Sequence, residues 1–195
     1  AAPPGPRETP RETAWAWPPG ATLWGIIPGI RASVPGLTAQ DEGHVVNTAS
    51  VAGLTSYPWL GPYTASKHAA ATIAETLHAE LSEAGSKVRV SALCPGAVAT
   101  NIGDAERNRP KELANDEPAA PPEQGGLDVF TETFEKFAVK PADVAERVLQ
   151  AIVEERFWVE TDDFYREPIR ERHRAIEQQQ DPPARGLILD PYLQS

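Results

Sequence analysis

The chain has 195 residues and one cysteine, a length that suits a single domain and a cysteine count that excludes an internal disulfide framework. Its net charge is −10 at pH 7 without a block of like charges, which argues against a nucleic-acid footprint or a patch for anionic membranes. The cysteine and the four histidines are not spaced as metal ligands, so we predict no metal site.

The longest apolar stretch, residues 23–30, is far too short to span a bilayer. A charged start followed by a hydrophobic signal core and a small-residue cleavage site is also absent from the sequence. We therefore expect a cytoplasmic protein with no membrane or nucleic-acid partner.

Residues 1–20 are rich in proline and have no periodic apolar face, so we expect them to be disordered or foreign to the fold that follows. Apolar residues recur at helical spacing over 22–40, but Pro28 and Pro35 interrupt them, which predicts a kinked helix or two pieces. An apolar strand is predicted over 44–49, and a helix with an apolar stripe is predicted over 62–83.

A second strand is predicted over 87–94, and the polar, proline-containing stretch 101–126 is expected to be a mobile loop. A helix opening at Pro141, a short strand over 157–161 and a polar helix over 164–178 follow, and the remaining tail has little detectable order. Strands that alternate with helices indicate an α/β fold with a parallel, doubly wound sheet.

Tyr63 and Lys67 are four residues apart on the helix predicted over 62–83, so both side chains can point to one site. A tyrosine hydroxyl titrates near ~10, and a neighbouring ammonium lowers that pKa by favouring the phenolate. Such a phenol can exchange a proton with an alcohol or alkoxide while hydride moves at the same carbon. Ser50, at the end of a predicted strand, can donate a hydrogen bond to the reacting oxygen.

The segment Gly61-Pro-Tyr-Thr-Ala-Ser-Lys67, with Ser50 before it and Pro95-Gly96 after it, resembles the catalytic half of the short-chain dehydrogenase/reductase family. The resemblance implies a Rossmann fold that binds NAD(H) or NADP(H) and an alcohol or carbonyl substrate. It implies that Ser50 orients the substrate oxygen, that Tyr63 is the acid/base, and that Lys67 lowers the tyrosine pKa and holds the nicotinamide ribose. The residues that match the family's cofactor-binding segments are Tyr63, Lys67, Pro95, Gly96, Val98 and Thr100.

Two departures from the family pattern stand out. Thr22 occupies the position where many members carry an asparagine of a proton relay. The glycine-rich turn that approaches the pyrophosphate has no counterpart before Thr22. We therefore expect an incomplete Rossmann-like, doubly wound parallel sheet that lacks its first βαβ units, formed by residues 21–195. We expect this truncated chain to be inactive alone.

Two alternatives remain open. In this family the helices that flank the serine strand commonly form a dimer interface, so helices 22–40 and 62–83 predict a non-catalytic, dimerising or interaction remnant. An unrelated hydrolase built on Ser50 and Lys67 is disfavoured, because the sequence context of a nucleophile is missing. Neither NAD versus NADP nor the substrate can be read from the sequence. The loop 101–126 and the segment after Gly53 are expected to shape the substrate pocket.

Overall fold

The computed structural model describes residues 12–58, 60–113, 134, 136–184, 186, 188 and 192, and for residues 12–21, 103–106 and 113 it describes the backbone alone. The helices are α1 (Glu12–Gln40), α2 (Gly61–Glu83), α3 (Pro141–Val153) and α4 (Arg166–Glu177). The strands are β1 (His44–Thr48), β2 (Arg89–Cys94) and β3 (Trp158–Glu160). Short 3-10 turns cover Val51–Gly53, Asn101–Asn108 and Lys111–Leu113.

The three strands form one parallel sheet in the order β1-β2-β3, with β2 in the centre. Val45 pairs with Val90 across the first interface, and Leu93 pairs with Val159 across the second. The order follows the chain, so a helical crossover connects each parallel pair, as parallel strands require. The structure confirms the predicted α/β fold with a small, partial, Rossmann-like parallel sheet.

Side chains of β2 alternate between two apolar layers, as the period of a strand requires. Val90, Ala92 and Cys94 pack into a cluster with the buried face of α2, on which Ala70, Ala74, Leu77 and Leu81 lie. Leu93 points into the other cluster, with Val144 and Ala151 of α3 and with Val159 of β3. Helices therefore cover both faces of the sheet, which explains why five of the six residues of β2 are buried.

Helix α1 differs from the sequence prediction. We predicted a kinked helix or two pieces over 22–40, whereas the structure has a single helix that begins at Glu12 and continues through Pro28 and Pro35. An interior proline costs a helix about 3 kcal/mol or more because it removes a hydrogen bond and crowds the preceding turn. Ile26, Ile30, Val34 and Leu37 pack against the cluster formed by α2 and β2. This tertiary packing stabilises α1 against the local preference of its prolines.

The remaining boundaries agree with the predicted elements to within a few residues. Of the predicted disordered segment 1–20, residues 12–20 belong to α1 and residues 1–11 lie outside the described residues. Of the predicted loop 101–126, residues 101–108 and 111–113 form 3-10 turns, and 114–126 lie outside the described residues. The tail, which we predicted to have little order, contributes Tyr192 to the core, where it is buried.

Two observations concern the surface of this fold. In the sheet as described, β1 pairs with β2 along one edge, and no other described strand pairs with its opposite edge. A search of the described helices finds none with the length and hydropathy that a membrane crossing needs.

Candidate active site

Ser50 follows β1 directly and is held by the backbone of two segments. Its hydroxyl oxygen accepts a hydrogen bond from the Ala52 N–H at 3.1 Å and caps the 3-10 turn Val51–Gly53. The same hydroxyl donates to the Pro95 carbonyl at 3.4 Å. The side chain is buried, so these two contacts hold its hydroxyl oxygen in place.

Helix α2 presents Tyr63 and Lys67 from its first two turns. The helix begins at Gly61 with Pro62 in its first turn, where the missing proline N–H costs nothing because that donor would have no partner within the helix. The Lys67 ammonium lies 5.8 Å from the centroid of the Tyr63 ring. The ammonium also donates to the Thr48 carbonyl at 3.3 Å, at the end of β1. Tyr63 and Lys67, the pair predicted from their spacing of four residues, therefore face the strand that leads to Ser50.

Gly53 sets the close approach between the Ser50 turn and helix α2. A Cβ atom built on Gly53 would lie 2.6 Å from the Lys67 carbonyl oxygen, a distance that real side chains do not adopt. The absence of a side chain at position 53 lets the two backbones come together. Ser50 then lies close enough to Tyr63 for its hydroxyl to lower the pKa of the tyrosine.

The protonation of Tyr63 and Lys67 is governed mainly by burial. Burial raises the pKa of the Tyr63 hydroxyl above its ordinary value, and the hydrogen bond with Ser50 acts in the opposite direction. Burial lowers the pKa of the Lys67 ammonium, although the nearby Cys94 raises it. We predicted that Lys67 would lower the tyrosine pKa, and this role of Lys67 stays a prediction, because burial sets the direction in the chain as it stands. The phenol is held in a site where loss of its proton is disfavoured.

Cys94 lies at the end of β2, beside the same group. Its side chain is fully buried, and burial raises the pKa of its thiol to about 12. Only the thiolate is a nucleophile, so at neutral pH this side chain fills space in the core. Its proximity to Lys67 explains the electrostatic effect on the ammonium.

The predicted cofactor segment runs from the end of β2. The Pro95 carbonyl accepts from the Val51 N–H at 3.1 Å, which ties this segment to the Ser50 turn. Val98 forms an isolated parallel bridge with Val139, and Thr100 is exposed. The structure thus joins Pro95 and Gly96 directly to the serine turn, while Val98 and Thr100 lie further along the segment.

A cavity of about 550 Å³ lies between α1 and the free edge of β1. Thr22, the residue in the relay position, and Lys67 both line it. The remaining wall is formed by one face of α1 and by the backbone of β1, through Gly25, Ile26, Gly29, Ile30, Ser33, Val45, Val46, Asn47 and Thr48. Among the described side chains, no group of three or more His, Cys, Asp or Glu is arranged to hold a metal ion.

Known proteins share both this fold and this sequence pattern. The sequence profile described as short chain dehydrogenase matches residues 14–111, half of the chain. The chain therefore belongs to the short-chain dehydrogenase family, a family of oxidoreductases. An uncharacterised oxidoreductase of Listeria innocua is 31% identical over 142 residues, which cover 73% of this chain and 51% of that protein. A CLA biosynthesis dehydrogenase/reductase from Lactiplantibacillus plantarum is 28% identical, over 83% of this chain and 58% of its own length.

Among solved structures, a short-chain dehydrogenase/reductase from Burkholderia phymatum in complex with NAD superposes with a TM-score of 0.83 at 38% identity. The match covers 90% of this chain and 63% of that protein. A short-chain dehydrogenase from Burkholderia cenocepacia, in complex with NADP, matches with a TM-score of 0.60 at 22% identity and supports the fold alone. The chain spans about half to two thirds of the length of these relatives.

Proposed function

We propose that this chain carries the proton-transfer centre of an NAD(P)-dependent oxidoreductase that interconverts an alcohol and a carbonyl compound. One observation carries the proposal. Ser50, two residues after β1, lies close enough to Tyr63 to lower its pKa, and the Lys67 ammonium lies 5.8 Å from the ring of that tyrosine. A hydroxyl donor, a phenol and an ammonium in one partly buried site form the set that acid/base chemistry at a carbonyl oxygen requires.

Each residue has a distinct role in this reaction. Ser50 turns its one hydroxyl proton from the Pro95 carbonyl to the carbonyl oxygen of the substrate and so orients it. The Tyr63 hydroxyl gives its proton to that oxygen as the oxygen becomes an alkoxide, and the phenolate takes the proton back in the reverse direction. Lys67 stabilises the phenolate through its positive charge. NAD(H) or NADP(H), when bound, donates or accepts the hydride.

The residues of this chain fit one end of such a cofactor. The Lys67 ammonium has three donor hydrogens and contacts the Thr48 carbonyl, so it can also bind ribose hydroxyls in the cavity that it lines. Pro95, Gly96, Val98 and Thr100 would contact the nicotinamide. Within the described residues, no glycine-rich turn follows a strand to receive the pyrophosphate at a helix N-terminus. We therefore propose that the 195-residue chain holds the cofactor weakly and is inactive alone.

We expect titration calorimetry of the 195-residue chain with NAD+, NADH, NADP+ and NADPH to give no dissociation constant below about 1 mM, since most of the anchoring of a dinucleotide comes from its phosphates. The Burkholderia phymatum relative, whose structure contains NAD, serves as the positive control. A micromolar dissociation constant for any of the four nucleotides would contradict this expectation.

A non-catalytic, dimerising role is the second candidate, through helices 22–40 and 62–83. Trp24 favours it, because this large apolar side chain of α1 is 64% exposed. Exposed aromatic side chains of this size are typical anchors of interfaces between proteins. A homodimer would bury Trp24 against a second copy of the chain.

Light scattering coupled to size-exclusion chromatography is expected to detect self-association of the 195-residue chain, and Trp24→Glu is expected to weaken it. Trp158→Glu is the matched control, because Trp158 is also exposed, at 38%, but lies on β3. If the wild-type chain elutes as a monodisperse monomer, or if both variants behave alike, the proposed interface is wrong.

A further inference from the structure

A second group of polar side chains lies behind the cofactor segment and contacts its backbone. The Gly96 N–H donates to the Thr161 hydroxyl oxygen at 2.9 Å, and the next amide, the Ala97 N–H, donates to the Tyr192 hydroxyl oxygen at 2.9 Å. Two successive backbone amides therefore bind hydroxyls from distant parts of the sequence, one after β3 and one in the C-terminal tail.

Both hydroxyls converge on a single carboxylate oxygen. Thr161 donates to Oδ2 of Asp162 at 3.2 Å, and Tyr192 donates to the same atom at 3.0 Å. The other carboxylate oxygen accepts the Phe164 N–H at 3.1 Å. Burial raises the pKa of Asp162, but these three hydrogen bonds favour its carboxylate form. Hydrogen bonds that end on a charged acceptor are stronger than those between neutral groups.

The side chains around Gly96 leave no room for a side chain at that position. A Cβ atom on Gly96 would collide with Oδ2 of Asp162 and with the Tyr192 hydroxyl. The Tyr192 ring, which is 1% exposed, stacks on Phe137 and packs edge-on to Tyr165. The ring packing and the hydrogen bonds together hold the Tyr192 hydroxyl against the Ala97 amide.

The same backbone segment reaches Ser50 on its other side. The Pro95 carbonyl accepts from the Ser50 hydroxyl and from the Val51 N–H, while the amide of the same peptide unit, at Gly96, donates to Thr161. A peptide unit is planar and rigid, so its carbonyl cannot move independently of its N–H. The position of the carbonyl that binds Ser50 therefore depends on the hydroxyl that binds Gly96.

We propose that Asp162 is a positioning residue for the active site: through Thr161 and Tyr192 it fixes the backbone from Pro95 to Ala97, and this backbone fixes the position of the Ser50 hydroxyl group. The inference rests on the proposed function only for the role of Ser50. Its experiment uses neither turnover nor nucleotide, so it can fail or succeed independently of that function.

The experiment measures amide hydrogen exchange and the NMR resonance of the Tyr63 ring carbon that bears the hydroxyl, in the 195-residue chain. In Thr161→Val the Gly96 amide loses its acceptor, so we expect it to exchange about tenfold faster. In Tyr192→Phe the Ala97 amide loses its acceptor, and we expect the same acceleration there. In both variants the Tyr63 resonance is expected to shift, because the Ser50 hydroxyl acts on the Tyr63 phenol and would be displaced with the Pro95 carbonyl. Thr161→Ser keeps the acceptor oxygen and is expected to leave both signals as in the wild type. Asp162→Asn replaces one of the two carboxylate oxygens that accept from Thr161, Tyr192 and Phe164, so it is expected to change both signals.

Ser91→Ala is the matched control. Ser91 is fully buried on the same strand that precedes Pro95, and its hydroxyl donates to the Arg156 carbonyl at 2.6 Å, away from this group. If Thr161→Val does not fold, Tyr192→Phe tests the proposal, because it retains the ring packing and has its own readouts in the Ala97 amide and the Tyr63 resonance. Faster exchange with an unchanged Tyr63 resonance, or changes no larger than those of Ser91→Ala, would overturn the proposal.

Discussion

Tyr63→Phe is expected to lower turnover by at least about a hundredfold, the smallest contribution usual for a positioned acid or base. The measurement needs a chain that binds cofactor, so we would place the N-terminal segment of the Burkholderia phymatum relative in front of residue 21 and follow nicotinamide absorbance. The phenyl ring keeps the packing of the tyrosine and loses only its proton donor. Cofactor affinity is therefore expected to stay close to that of the parent chimera.

Two further variants test whether this effect is specific. Ser91→Ala removes a hydroxyl from a fully buried side chain of β2 that donates to the Arg156 carbonyl, outside the proposed reaction, and is expected to leave turnover nearly unchanged. Lys67→Ala is expected to lower both turnover and cofactor affinity, because the ammonium stabilises the phenolate and binds the ribose in the proposed reaction. If Tyr63→Phe retained more than about a tenth of the parent turnover, Tyr63 would not be the acid/base.

Gly53→Ala is expected to lower the free energy of unfolding by about 1–3 kcal/mol, the usual cost of an added atom in a tightly packed interior. The new Cβ would lie 2.6 Å from the Lys67 carbonyl oxygen, so the Ser50 turn and helix α2 must separate. Urea unfolding of the 195-residue chain measures the loss directly. In the chimera, the same substitution is expected to reduce turnover, because Ser50 moves away from Tyr63.

Gly61→Ala provides the control, since a Cβ at Gly61 meets no atom within 4 Å. Its unfolding free energy is expected to equal that of the wild type or to rise slightly, because alanine restricts the unfolded chain. Equal stability of the two variants would mean that the contact between Gly53 and Lys67 does not limit how closely the turn approaches α2.

The parts of the site that depend on local spacing were predictable from the sequence. Tyr63 and Lys67 face one another because residues four apart share a helix face, and the structure places both beside the strand that ends before Ser50. The parallel α/β arrangement followed from the alternation of apolar strands and helices in the same way. The proposed chemical roles of these residues stay predictions.

The parts that depend on tertiary packing were not predictable. The direction of the Tyr63 pKa is set by burial, which no local pattern reports. Helix α1 stays continuous through Pro28 because distant residues of α2 and β2 pack against it. Asp162 and Tyr192 lie 30 residues apart in the sequence and meet only in the folded chain. No motif in the sequence marks either of them.

The burial of Cys94 makes this chain convenient for site-specific labelling. It is the sole cysteine of the sequence, and its thiol, with a pKa of about 12, is hardly ionised at neutral pH. Alkylating reagents act on the thiolate, so the native chain offers them almost no target. A cysteine introduced at an exposed position of α1, such as Ala32→Cys, would be the one reactive thiol. A fluorophore or spin label could then be attached to α1 while the native cysteine stays in place.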